Sequence, residues 1–152
     1  MAQLDKTFPT NDCSMCTISP KLVETGRHLN IDLHVDTDVV RVDGQAGDFT
    51  VKVKKAARYV RTDKCTGCGV CQDKCPKKVI DQVYEAGLGY RKAIYRPFPQ
   101  AVPKYPVLDR ENCTFFQKGT CKACEKFCPT GAIDFKQEDE MLTLQVGQII
   151  LA

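Results

Sequence analysis

The stretch Cys65-Thr66-Gly67-Cys68-Gly69-Val70-Cys71-Gln72-Asp73-Lys74-Cys75-Pro76 decides how this chain is read. Four cysteines follow the spacing C-x2-C-x2-C-x3-C and end on a proline. Three thiols at steps of three wrap a tight loop around one corner of a cube-shaped iron–sulfur cluster. The fourth follows a short helix and points the other way, toward a second cluster. Gly67 and Gly69 let the backbone approach closely, so that N–H groups reach the sulfurs. Pro76 lacks a donor and ends the turn.

The pattern recurs downstream. Cys113, Cys121, Cys124 and Cys128 keep the last three cysteines and the proline (Pro129), with the first gap lengthened from two residues to seven. An internal repeat of this kind is the strongest signal in the sequence. Crossed pairing gives cluster one Cys65, Cys68, Cys71 and Cys128, and gives cluster two Cys113, Cys121, Cys124 and Cys75. Zinc is the bland alternative, but zinc ribbons close after four ligands and do not repeat a Cys-Pro ending.

Each motif reads strand–loop–helix–strand. Residues 57–60 and 92–95 flank the first, and 106–108 and 132–135 flank the second. The expected fold is α+β, a bacterial-type dicluster ferredoxin-like module of pseudo-twofold βαβ repeats, with an extra β-hairpin and terminal strand segments. Val60, Val70, Val79, Ile80, Phe115, Phe116, Phe127 and Ile133 are the expected apolar wall. Between the repeats, Pro97, Pro99, Pro103 and Pro106 forbid helix, while interleaved Tyr, Phe and Val predict an extended segment packed on a surface.

Outside the repeats, Cys13 and Cys16 form a CxxC pair. They are read as ligands of a third iron–sulfur cluster, as a redox dithiol, or as incidental thiols. A short helix is expected after them, with Ser19 at the N-cap, Pro20 at the first position and Gly26 at the end. Residues 31–55 alternate as a hairpin with a longish turn at 43–48. Residues 141–151 read as two short strands around Gly147. The chain stops within an apolar run, which suggests a fragment.

Composition narrows the class. The chain has 152 residues, ten cysteines, no Trp, two His and a formal charge of +3. Mean hydropathy is −0.30, and no apolar run approaches the roughly 20 residues of a membrane span. No secretory signal is visible, so ten cysteines point to metal in a reducing, cytoplasmic compartment. Two oxidised clusters with their thiolates carry about −4, which brings the chain near neutrality and removes the charge argument for nucleic acid. His28 and His34 read as solvent-facing or hydrogen-bonded. Lysines 74, 77, 78, 118, 122 and 126 read as a solvated face or as a docking patch for an acidic redox partner. A P-loop is absent, and Gly87-x-Gly89 lacks a third glycine, so no dinucleotide fingerprint stands.

The residues LDKTFPTNDCSMC (4–16), SPKLVETGRH (19–28), RYVRTDKCTGCGVCQDKCP (58–76), GLGYRKAIYRPFPQAVPKY (87–105), CKACEKFCPTGAIDF (121–135) and VGQIILA (146–152) resemble the A-type subunit of heterodisulfide reductase. The resemblance covers nearly the whole chain. It implies a ferredoxin-like domain (57–136) inserted into a flavoprotein-like domain, of which 1–56 and 137–152 are flanking pieces. It also implies FAD only in a full-length parent, since the fingerprint glycines are not here, and places Cys13 and Cys16 on a cluster shared with a further domain. The implied partners are other heterodisulfide reductase subunits, a ferredoxin, and the parent's flavin domain, with no nucleic acid and no membrane insertion. The expected function is electron relay through two [4Fe–4S] clusters, with the isolated chain not catalytic by itself. The rival readings are a thiol–disulfide protein acting through Cys13 and Cys16, and a zinc-stabilised interaction module.

Overall fold

The computed structural model describes residues 4–151. It divides into two compact units, one of Met1–Asp32 with Tyr59–Phe135 and the other of Leu33–Arg58 with Lys136–Ala152. Residues 4–32 thus group with the cysteine-bearing segment.

The cysteine-bearing unit is held by short strands. β3 (Lys78–Asp81) pairs antiparallel with β4 (Gly89–Lys92), and β5 (Ile94–Tyr95) with β6 (Val107–Leu108). Val60 and Ile133 form an antiparallel bridge. Around these pairings sits a small core of Tyr59, Val60, Ala93, Ile94, Ala101, Leu108, Ala132 and Ile133. Ala101 and Pro106 are the buried points of the proline-rich segment, which packs without helix as its prolines require. Two residues of the expected apolar wall are corrected: Ile80 and Phe127 are each 47% exposed. Ile80 lies on a two-stranded ribbon and alternates outward.

The seven-residue gap of the second repeat folds as a helix, α3 (Thr114–Lys118), capped by Gly119 at φ 72°. It carries Phe115 and Phe116 into a ring cluster with Tyr59 and Phe135, with centroids 4.1–5.8 Å apart. The longer gap therefore adds packing as well as loop.

The N-terminal helix, α1, runs Ser14–Arg27, starting ahead of the position that Ser19 and Pro20 predict. Cys13 is the N-cap: its Sγ accepts from the Cys16 N–H at 3.3 Å. Ser14, fully buried, donates to the Leu4 carbonyl and closes the preceding loop on the helix. Pro20 lies inside the helix, where the Cys16 carbonyl loses its usual intrahelical partner. His28, not Gly26, caps the end, and its Nδ1 accepts from the Asn30 N–H.

The second unit is a three-stranded sheet in the order β1-β2-β7, with β1 Thr37–Gln45, β2 Asp48–Lys55 and β7 Glu140–Val146. The β1–β2 connection is tighter than expected, closing at Gln45↔Asp48 over Ala46 and Gly47. Val51 and Val53 are buried on the face they share with Leu142 and Leu144. Residues after Gly147 form no strand among the described residues, unlike the two strands expected. The last pair is Phe49↔Val146, and β2 offers no edge beyond its turn.

Candidate metal centres

Two loops carry the thiols. In the first, Gly67 and Gly69 adopt φ of 69° and 86°, which bends the chain through Cys65 and Cys68. Gly69 then caps α2 (Val70–Asp73), which holds Cys71, and Cys75 follows it. In the second, α4 (Ala123–Lys126) holds Cys124, and Cys128 follows it. α2 packs against α4, so each fourth cysteine leaves its own helix beside the other repeat.

The result is two small cavities. One is lined by Cys65, Cys68, Cys71 and Cys128, with Val60, Ile133 and Pro106. The other is lined by Cys75, Cys113, Cys121 and Cys124, with Ala93, Ile94 and Leu108. Each cavity takes three cysteines from one repeat and the fourth from the other.

The thiols are unsuited to an empty pocket. Burial and the neighbouring Cys65 push the Cys71 thiol up to about 11. Burial and the neighbouring Cys113 push Cys124 up to about 12. Four thiols around one small cavity resist ionising together unless positive charge sits among them, and iron supplies it. Burial also raises Cys128, but hydrogen bonds from Ala132, Thr130 and Gly131 outweigh it and hold that thiol below its ordinary value. Among the described residues no three His, Cys, Asp or Glu side chains converge as one metal ion requires. A many-atom cluster suits four thiols spread around a cavity; a single zinc ion needs them within about 2.3 Å of one point.

Residues 64–132 match the family described as 4Fe-4S dicluster domain. The chain carries a 4Fe-4S dicluster domain, and with it two [4Fe–4S] clusters. Over all 152 residues it is 52% identical to an A-type iron–sulfur subunit (number 2) of CoB–CoM heterodisulfide reductase from Methanopyrus kandleri. It is 45% identical, over the same span, to the A-type subunit of the H2:CoB-CoM heterodisulfide,ferredoxin reductase of Methanothermobacter thermautotrophicus. To the A-type subunit of a ferredoxin/F420H2-dependent CoB-CoM heterodisulfide reductase from Methanosarcina acetivorans it is 38% identical. All of this chain is covered in each case, but only 22%, 22% and 18% of the respective relatives. The chain matches a segment of the heterodisulfide reductase A-type subunit. It spans about a fifth of the length of the curated relatives it matches.

Supporting residues that no sequence motif marks surround the second cavity of the dicluster domain. Lys92 Nζ donates to the Cys75 carbonyl at 2.8 Å. Arg91 donates to Asp109 at 2.7 Å and stacks on Tyr95 at 3.8 Å. Asp109 also accepts from the backbone N–H and side-chain amide of Asn112, which precedes Cys113. Ala93, Ile94 and Leu108 read in the sequence only as flanking strands. Nothing in the local pattern announces these contacts, because each joins segments 17 or more residues apart or depends on one that does.

Cys13 and Cys16 line neither of these two cavities. All ten cysteines are free. The hydrogen bonding between the pair lowers Cys13 and raises Cys16 relative to an ordinary thiol.

Proposed function

We propose that this chain is the electron-relay module of a protein of the heterodisulfide reductase A type. Cys65, Cys68, Cys71 and Cys128 hold one [4Fe–4S] cluster, and Cys75, Cys113, Cys121 and Cys124 hold the other. The observation that carries this reading is the division of eight cysteines into two cavities of four, each with a thiol borrowed from the opposite repeat. A pseudo-twofold arrangement accounts for the pairings: β5, after the first motif, pairs with β6, before the second, and Val60 bridges Ile133 in the converse sense.

The chemistry a bound cluster supplies is uptake and release of one electron. The protein's part is to fix distance, dryness and hydrogen bonding. Cys75 and Cys128 tie each short helix to both sites. Val60 and Ile133 at one cavity, and Ile94 and Leu108 at the other, exclude water. On this reading the two cysteine sets conduct electrons for a reductase rather than acting on a substrate themselves. Its partners on this reading are other subunits of such a complex, a ferredoxin, or a flavin domain of a longer parent in the cytoplasm. The three-stranded sheet, built from segments on either side of the dicluster domain, is then a flanking piece of that parent's flavoprotein-like domain. No helix among the described residues is long and apolar enough to cross a membrane.

A second reading applies to the thiol pair. Cys13, capping a 14-residue helix and bonded by the Cys16 N–H, has the setting of a redox dithiol or of a further cluster's ligands. One experiment addresses both. Iron and acid-labile sulfide are counted on anaerobically prepared chain, with EPR after reduction. About eight of each, with two interacting reduced clusters, is the expected result. About twelve places a third cluster on Cys13 and Cys16. Zinc without sulfide overturns the relay.

A further inference from the structure

The two cysteine sets differ in what reaches their sulfurs. One donor is common to both: the backbone N–H of Gln72 acts on Cys71, and that of Glu125 acts in the same way on Cys124. The first site has more. There the Gly67 N–H donates to Cys65 Sγ at 3.4 Å and the Ala132 N–H to Cys128 Sγ at 3.2 Å. The Thr130 hydroxyl lies 3.7 Å from Cys128 Sγ, and once that sulfur is a ligating thiolate only the hydroxyl can donate. The second site shows no counterpart to these three donors among the described residues. Cys75 Sγ instead faces the Lys77 carbonyl at 3.8 Å, an acceptor. The linings themselves are alike, both mainly apolar, with Val60, Pro106, Ala132 and Ile133 at the first cavity and Ala93, Ile94, Leu108 and Ala123 at the second, so the contrast lies in the donors.

Reduction adds one negative charge to a site that is already anionic. Donors aimed at the sulfurs stabilise the more negative state, and a site with fewer of them favours it less. Lys77 and Lys92 work against this at the second site. Neither is bonded to a sulfur, however: Lys92 Nζ is engaged by the Cys75 carbonyl, and partly exposed ammonium groups are screened by water.

We infer that the relay is polarised: the site of Cys65, Cys68, Cys71 and Cys128 is the higher-potential one and holds the first electron, and the site of Cys75, Cys113, Cys121 and Cys124 is the lower-potential one. The inference rests on the two-cluster reading above. One electron from an external one-electron donor reduces the first site; a second electron, at lower potential, reduces the other. Thr130 and the Ala132 N–H are positioning and tuning groups, acting through Cys128.

The test is a potentiometric titration of the cluster-loaded chain, with dithionite as reductant and EPR as readout. Two one-electron couples are expected. Thr130→Val lowers the upper couple and leaves the lower one in place, while Thr130→Ser, which keeps the hydroxyl, moves neither. Lys92→Gln lowers the lower couple. The inference is overturned if Thr130→Val moves the lower couple or neither, or if Lys92→Gln moves the upper. Should Thr130→Val fail to load clusters, the wild type exchanged into D2O decides, measured half-reduced for the first cluster and fully reduced for the second. Stronger exchangeable proton couplings on the first-reduced cluster than on the second support the inference, and equal or weaker ones overturn it. Iron well below eight per wild-type chain would instead defeat the two-cluster reading itself.

Discussion

Asp109 shows how much one side chain arranges here. It accepts from Arg91, 14% exposed, and from two donors of Asn112, and so ties β4 to the turn that presents Cys113. Burial works to raise its carboxyl, but the bonds from Arg91 and Asn112 outweigh that and hold it below the usual range. A carboxyl lowered on folding contributes fully above its unfolded value of about 3.9, and the contribution is lost as pH falls through the lower folded value. Asp109→Asn is therefore expected to cost about 2 kcal/mol at pH 7, since a largely buried guanidinium loses its counter-charge. Urea unfolding of the two proteins should show a gap that is constant from neutral pH down to about 5 and narrows only below about pH 4. A gap that closes by about pH 6 would mean another group is responsible. Asp81 has a similar local role: buried, it accepts from the Val83 and Tyr84 N–H groups and shapes the loop between β3 and β4. Asp81→Ala should lower stability by about 1–2 kcal/mol by leaving those two amides without their carboxylate.

The elements diverge from their sequence patterns where a cap or an edge decides. α1 begins at Ser14 because the Cys13 sulfur can cap it, although a serine followed by proline offers a more familiar start further along. The β1–β2 turn depends on two glycines at positive φ, for different reasons. At Gly44 (φ 105°) a Cβ would sit 2.2 Å from the Asp48 carbonyl oxygen, which is backbone and cannot swing away. At Gly47 (φ 95°) a Cβ would meet nothing within 4 Å. Gly47→Ala should thus cost only the left-handed backbone penalty of about 1 kcal/mol. Gly44→Ala should cost about 3 kcal/mol or more, since the turn must open. Circular dichroism melts of the two variants should preserve that order, and equal shifts would contradict the turn geometry.

Across the whole chain, the proposed crossed ligation makes a prediction that single substitutions cannot test. Removing Cys75 and Cys113 together strikes one cavity only, and about four irons should remain. Removing Cys75 and Cys71 strikes both, and iron should fall further, with neither cluster's spectrum intact. If Cys75 served its own repeat, the outcomes of the two pairs would be exchanged. The dicluster domain and the relay chemistry were legible in the sequence, because a cube-shaped cluster demands a short, fixed cysteine spacing that the chain writes out locally. The glycines of the first loop and the helix-breaking prolines at 97–106 were legible for the same reason: each acts on its own backbone. β7 as one strand beside β2, the outward Phe127 and Ile80, and the braces from Lys92, Arg91 and Asp109 were not. These depend on which segments meet after distant parts of the chain fold together, and on which sheet edge is left to pair. Local spacing determined what this protein binds; tertiary packing alone decided which donors and which apolar walls surround each cluster, and so what separates the two sites energetically.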